Sequence, residues 1–158
     1  MPIIELSLRV AAPIDRVFDL ARSIDLHLAS TVGTGEQAIA GTTSGLIGLG
    51  QSVTWRARHF LVWQTLTSRI TAYDRPHAFQ DCMIAGLFAS FVHDHRFSVD
   101  AGATVMVDRL AYRAPLGVLG AIASSLVVDR HLRRFLAERN RVIARTAESD
   151  DWRRYRPG

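Results

Sequence analysis

The sequence predicts an α+β domain in which a curved antiparallel sheet of about seven strands wraps around a long C-terminal helix. Three observations predict it. Short segments of alternating apolar and polar residues recur, separated by tight turns. Two short helical segments follow the first of these. From Pro115 to about Thr146, apolar residues recur at helical spacing (Leu119, Ile122, Ala123, Leu126, Val127, Phe135, Leu136, Val142, Ile143), with arginines over much of the remainder. An amphipathic helix of roughly 30 residues needs a large surface to cover its apolar stripe, and the preceding strands supply one.

Taken in order, Ile3 to Val10 alternates, with Ile4, Leu6, Leu8 and Val10 on one face and Glu5, Ser7 and Arg9 on the other. Pro13 suits the first turn of a helix, because a missing N–H costs least there, and Val17, Phe18 and Ala21 are spaced to face inward. Ser23 or Asp25 suits the cap of a second short helix over about 24–31. A weak strand over 36–40 leads into the glycine-rich stretch 41–50. Strands follow over 51–59, 61–72, 78–84, 90–99 and 104–112. Tyr73-Asp74-Arg75-Pro76 reads as a turn, and Ala85-Gly86-Leu87 and Asp100-Ala101-Gly102 as hairpin connections. Six consecutive strands with short loops make an antiparallel meander. Residues 1–147 form one domain, and the polar, arginine-rich 148–158 is expected to fray.

Composition narrows the class. The 158 residues are 48% hydrophobic and 22% charged, which is ordinary for a globular domain. No apolar run approaches the ~20 residues that span a bilayer, and the N-terminus lacks a signal-peptide pattern. Cys82 is the one cysteine, which excludes an internal disulfide or a cysteine zinc cluster. A cytosolic location is the default. The net charge of +4 comes largely from arginines read here as the solvated face of the long helix. No nucleic-acid-binding signature accompanies them, so no nucleic acid is expected as a partner.

Four stretches carry a family resemblance. They are Pro13-Ile14-Asp15-Arg16-Val17-Phe18-Asp19-Leu20, Gly48-Leu49-Gly50-Gln51-Ser52-Val53-Thr54-Trp55-Arg56-Ala57, Phe91-Val92-His93-Asp94-His95-Arg96-Phe97 and Asp108-Arg109-Leu110-Ala111-Tyr112-Arg113-Ala114-Pro115-Leu116-Gly117. With the element order, they resemble the START-like, or SRPBCC, superfamily and its helix-grip fold, and more closely a bacterial set of small ligand-binding members. The resemblance covers nearly the whole chain. It implies an internal cavity for a hydrophobic ligand, opening near the loops at one end. It transfers no catalytic residue, because this fold hosts carriers, cyclases, hydrolases and plain binding proteins.

Side-chain parity proposes the cavity's polar groups. His93 and His95 share a strand face with Phe91 and Phe97. Asp108 and Tyr112 share one with Met106 and Leu110, and Asp81 shares one with Met83. If these faces are concave, the ligand set is Trp55, Asp81, Met83, Phe91, His93, His95, Met106, Asp108, Leu110 and Tyr112 from the sheet, with Leu119, Ile122 and Leu126 from the helix. The polar members read in several ways: as hydrogen-bonded core, as ligand contacts, as an acid–base pair with His93, His95 and Asp108 the catalytic candidates, or as a two-histidine, one-carboxylate metal set. No metal and no cofactor is assigned. Trp63 reads as core, His59 as exposed, and Cys82 as a buried thiol on the opposite face.

The 41–50 stretch lacks the lysine and following helix of a phosphate loop. Its Leu46, Ile47 and Leu49 suit a cavity mouth, as a mobile lid, a transient membrane contact, or side chains packed back on the long helix. The expected function is non-covalent binding or carriage of a hydrophobic or amphipathic small molecule by a monomer or homodimer. The alternative is a cyclase, aromatase or hydrolase acting on a polyketide-like or lipid-like substrate.

Overall fold

The computed structural model describes residues 1–114 and 121–156, side chains at 121–125 excepted. Strand β1 (Ile3–Val10) is followed by helices α1 (Ile14–Ala21) and α2 (Ile24–Ser30). Then come β2 (Gln37–Gly41), β3 (Ser52–His59), β4 (Val62–Asp74), β5 (Ala78–Ala85), β6 (Ser90–Asp100), β7 (Ala103–Arg113) and α3 (Ala121–Glu148). The seven strands form one sheet in the order β1-β7-β6-β5-β4-β3-β2, with every neighbouring pair antiparallel. The expected start of the long helix at Pro115 lies outside the described residues.

Local chemistry explains the elements. Ser23 caps α2 by accepting from the Leu26 amide. The β6–β7 turn places Ala101 and Gly102 at φ 45° and 79°, the left-handed pair that a two-residue hairpin demands. That turn fixes the β6–β7 register, with His95 opposite Asp108 and His93 opposite Leu110. Across the other edge of β6, His93 lies opposite Asp81 and His95 opposite Phe79.

The main core lies between α1, α3 and the concave face. It gathers Val10, Val17, Phe18, Leu20, Phe79, Phe97, Met106 and Ile143. A second cluster joins Ile4, Leu110, Tyr112 and Leu136, with Phe88 and Leu132 against it.

The tail corrects the expectation of fraying. Asp150–Arg154 is a 3-10 helix capped by Ser149. Trp152 and Tyr155 pack on the core, and the Trp152 ring lies 4.3 Å below the Arg16 guanidinium. Arg156 reaches the buried Asp19 at 2.9 Å, a carboxylate that also receives Arg22 and Arg75. These partners lie far apart in sequence, so composition alone reads the segment as solvated.

Candidate functional site

Between the sheet and α3 lies a cavity of about 350 Å³. Its walls are mostly apolar: Val53, Leu66, Ile70, Phe79, Phe91 and Leu110 from the sheet, and Val128, Leu132, Phe135 and Leu136 from α3. Asp81, His93, His95 and Arg139 form a polar floor.

The floor is a compact charge cluster. His95 shares a hydrogen bond with Asp81, Nε2 to Oδ1 at 3.0 Å. Its Nδ1 lies 2.6 Å from Asp108 Oδ1. His93 Nε2 lies 3.3 Å from that same oxygen, and His93 Nδ1 lies 3.8 Å from Asp81 Oδ1. The contacts to Asp108 are close but poorly aligned for directed hydrogen bonds. Arg139 closes the cluster from α3, with Nη1 3.7 Å from Asp108 Oδ2 and Nη2 donating to the Ala21 carbonyl at 2.7 Å. Phe79 stacks on the His95 ring at 4.1 Å.

Burial opposes every charge here, and the neighbours decide the outcome. Burial works to raise Asp108, but the positive charge on His95 and the contacts from both histidines hold it well below the usual carboxylate range. Asp81 is likewise lowered, through its bond to His95 and the charges of His93, His95 and Arg139. Burial depresses His93, reinforced by the neighbouring His95 charge. His95 is raised despite its burial, because Asp108 favours the imidazolium. Two adjacent imidazoles are thereby driven in opposite directions.

A second polar group stands on the wall formed by α2, β3 and α3. His27 Nε2 meets Glu36 at 3.0 Å, and the His27 ring lies against Trp55 at 4.3 Å. His59 Nδ1 and His131 Nε2 share a hydrogen bond at 2.9 Å. Burial would raise Glu36, yet the His27 bond holds it below its usual value. Burial lowers both His59 and His131.

Of the sequence-proposed residues, Trp55, Asp81, Phe91, His93, His95 and Leu110 line the cavity. Others are placed elsewhere. Asp108 is fully buried behind the two histidines. Met106 lies in the core with Val17 and Phe18, where α1 covers the sheet, and Tyr112 belongs to the second core cluster. Met83 folds over the β5–β6 turn, so close that a Cβ at Gly86 would meet its sulfur at 2.8 Å. Leu126 is 71% exposed: it lies two residues, or about 200°, from the inward Val128. Leu119 and the Ile122 side chain lie outside the described residues.

The glycine-rich 41–50 loop is pinned by hydrogen bonds to the α1–α2 junction. The Ile24 amide donates to the Gly45 carbonyl, the Gly45 amide to Asp25, and the Ile47 amide to the Arg22 carbonyl. Ile47 is buried on the cavity wall, Leu46 is half-buried and Leu49 is exposed.

Four further expectations are corrected. His59 is half-buried and lines the cavity, held by His131 from 72 residues away. Trp63 is 49% exposed on the convex face, beneath the Arg56 guanidinium at 4.7 Å. Cys82 is half-buried, not buried, against Thr71 and Gln80. Arg139 is only 6% exposed, although arginine composition placed it on a solvated face. Its signal was spacing, because Leu136, Arg139, Asn140, Ile143 and Ala147 follow one helical stripe, all buried.

No protein-family model and no curated protein sequence matches the chain. Solved structures do. TTHA0849 from Thermus thermophilus aligns with a TM-score of 0.72 and 14% identity, over 92% of this chain and 99% of that one. The di-domain ARO/CYC StfQ of the steffimycin biosynthetic pathway gives 0.70 and 16%, over 94% of this chain and 51% of that one, so the present chain spans about half of it. A START superfamily protein from Mycobacterium smegmatis gives 0.67 and 10%, over 92% and 97%. Among the described residues, no helix is long and apolar enough to cross a membrane. The order of elements, the seven-stranded sheet and these alignments together show that the chain has the START-like (SRPBCC) helix-grip fold.

Proposed function

We propose that the protein binds an amphipathic small molecule non-covalently, with the apolar body along the cavity and the polar end against Asp81, His93, His95 and Arg139. One observation carries this reading: an apolar cavity of about 350 Å³ ends on a buried, charge-bearing floor. Burying apolar ligand surface contributes roughly 25 cal/mol per Å², and the few polar groups fix orientation. Neighbours of this fold include a START superfamily protein and the di-domain ARO/CYC StfQ of the steffimycin biosynthetic pathway, which is consistent with a small-molecule ligand.

Native mass spectrometry of the freshly purified protein, with extraction of bound compounds, should reveal a defined extra mass. Leu132→Trp fills the cavity from α3 and is expected to weaken binding of the extracted compound by more than about tenfold, equal to ~1.4 kcal/mol. Unchanged affinity in a folded Leu132→Trp protein rules out this placement.

A second reading is an enzyme on a polyketide-like substrate. The opposed directions of His93 and His95 favour it, since they move one imidazole toward a neutral base and its neighbour toward a charged acid. His93→Ala should then abolish turnover of a polyketide-like substrate panel while leaving substrate binding within about threefold. Turnover unchanged by His93→Ala rules out His93 as the base.

A further inference from the structure

We propose that Asp81, His93 and His95 form a binding site for one divalent transition-metal ion at the cavity floor, with Asp108 orienting both imidazoles from behind. The sheet register assembles the donors: Asp81 and His93 are directly paired across β5–β6, and His95 follows two residues on, on the same face. One donor atom from each residue lies within 4.8 Å of the others. Two imidazole nitrogens and a carboxylate oxygen suit Zn²⁺, Co²⁺, Ni²⁺ or Fe²⁺ rather than Mg²⁺ or Ca²⁺, which favour all-oxygen shells.

Each histidine presents one nitrogen toward Asp81 Oδ1, His95 by Nε2 at 3.0 Å and His93 by Nδ1 at 3.8 Å. Each presents its other nitrogen to Asp108 Oδ1, at 2.6 Å and 3.3 Å. A carboxylate behind the ligating histidines is how metal sites set tautomer and ring angle. Asp81, His93 and His95 all line the cavity, whereas Asp108 is fully buried behind them, so open coordination positions face the cavity.

Among the described residues, His93 Nε2, His95 Nδ1 and both Asp108 oxygens lack a well-aligned hydrogen-bond partner, so directed hydrogen bonds do not account for the side of the rings that faces Asp108. With a metal on the Asp81 side, the nitrogen of each ring that faces Asp108 keeps its proton, 2.6 Å (His95) and 3.3 Å (His93) from Oδ1. The ion takes the place of the proton shared by His95 and Asp81, and that proton leaves to solvent. The charges of the two carboxylates, Arg139 and a dication leave one positive charge facing the cavity. This inference goes beyond the apolar-ligand reading and does not require it.

Chelator-treated protein is titrated with Co²⁺, read by visible ligand-field absorption, and with Zn²⁺ by calorimetry. The expected result is one equivalent of Co²⁺ with a visible spectrum that Zn²⁺ abolishes by displacement. Asp81→Asn and His93→Gln should each weaken binding by at least about tenfold, and Asp108→Asn by about 10–100-fold. His131→Asn, in the other imidazole pair, should leave binding unchanged. Circular dichroism on the same samples confirms that each variant is folded. Absence of Co²⁺ bands in the wild-type protein overturns the proposal whatever the variants do. So does a spectrum kept in folded Asp81→Asn but lost in His131→Asn.

Discussion

Replacing Asp108 by asparagine is expected to destabilise the protein by about 3–5 kcal/mol, because it removes one partner from a buried charge cluster and leaves the others uncompensated. Asp108 is fully buried, and His95, His93 and Arg139 all converge on it. The amide keeps the shape and removes the charge. Urea denaturation should show a lower midpoint with an unchanged slope. Asp94→Asn, on the convex face beside the part-exposed Arg109, is the control and should cost less than about 1 kcal/mol. The sign with pH follows from the two opposed shifts. Asp108 is held below its ordinary 3.8, so its contribution is present above that pH and is lost as pH falls through the folded value. His95 is held above its ordinary 6.5, so its contribution is complete below 6.5 and is lost as pH rises through the folded value. The difference between wild type and Asp108→Asn is therefore greatest between about pH 4 and 6.5 and shrinks on either side. A difference that is flat with pH means the two groups are not charge-coupled.

Much of the floor was legible because strand periodicity needs only local information. Alternation puts Phe91, His93, His95 and Phe97 on one face of β6, and the same rule groups Asp108 with Leu110 on β7. Joining the two faces required the register, and the Ala101-Gly102 turn sets it by its length and backbone angles. What failed was inference from residue type against pattern. Residue type suggests core for Trp63, although alternation puts it with Thr65 and Thr67, opposite Leu66, Ser68 and Ile70. Charge suggests a solvated Arg139, although it stands three residues from Leu136 and four from Ile143 on the buried stripe.

Other features lay beyond any local signal. The His59–His131 bond joins β3 to α3, and the Arg156–Asp19 contact joins the tail to α1. Both depend on how α3 crosses the sheet. The phase of that helix also separates Leu132 and Leu136, which line the cavity, from Leu126, which is exposed. Leu119, Ile122 and Leu126 all fit an apolar stripe by spacing alone, because their segment is apolar on several sides.

Phe18→Ala should cost about 3–5 kcal/mol, the usual range for truncating a buried aromatic ring whose site cannot collapse. Phe18 is fully buried on α1, and its ring meets Tyr73, Phe79 and Phe97 edge to face at 5.4, 5.5 and 5.4 Å. Three rings anchored on separate strands cannot all move inward, so a void remains. Val99→Ala, at a 64% exposed position, should change stability by no more than about 0.5 kcal/mol. The consequence reaches the site through one further contact, because Phe79 also stacks on His95 at 4.1 Å. Loosening Phe79 removes part of what holds the His95 ring between Asp81 and Asp108. The His95 titration followed by NMR should therefore move from its raised position back toward 6.5 in Phe18→Ala. A large loss of stability with an unmoved His95 titration would mean that the hydrogen bond to Asp81 and the charge of Asp108 orient the imidazole without help from the aromatic core.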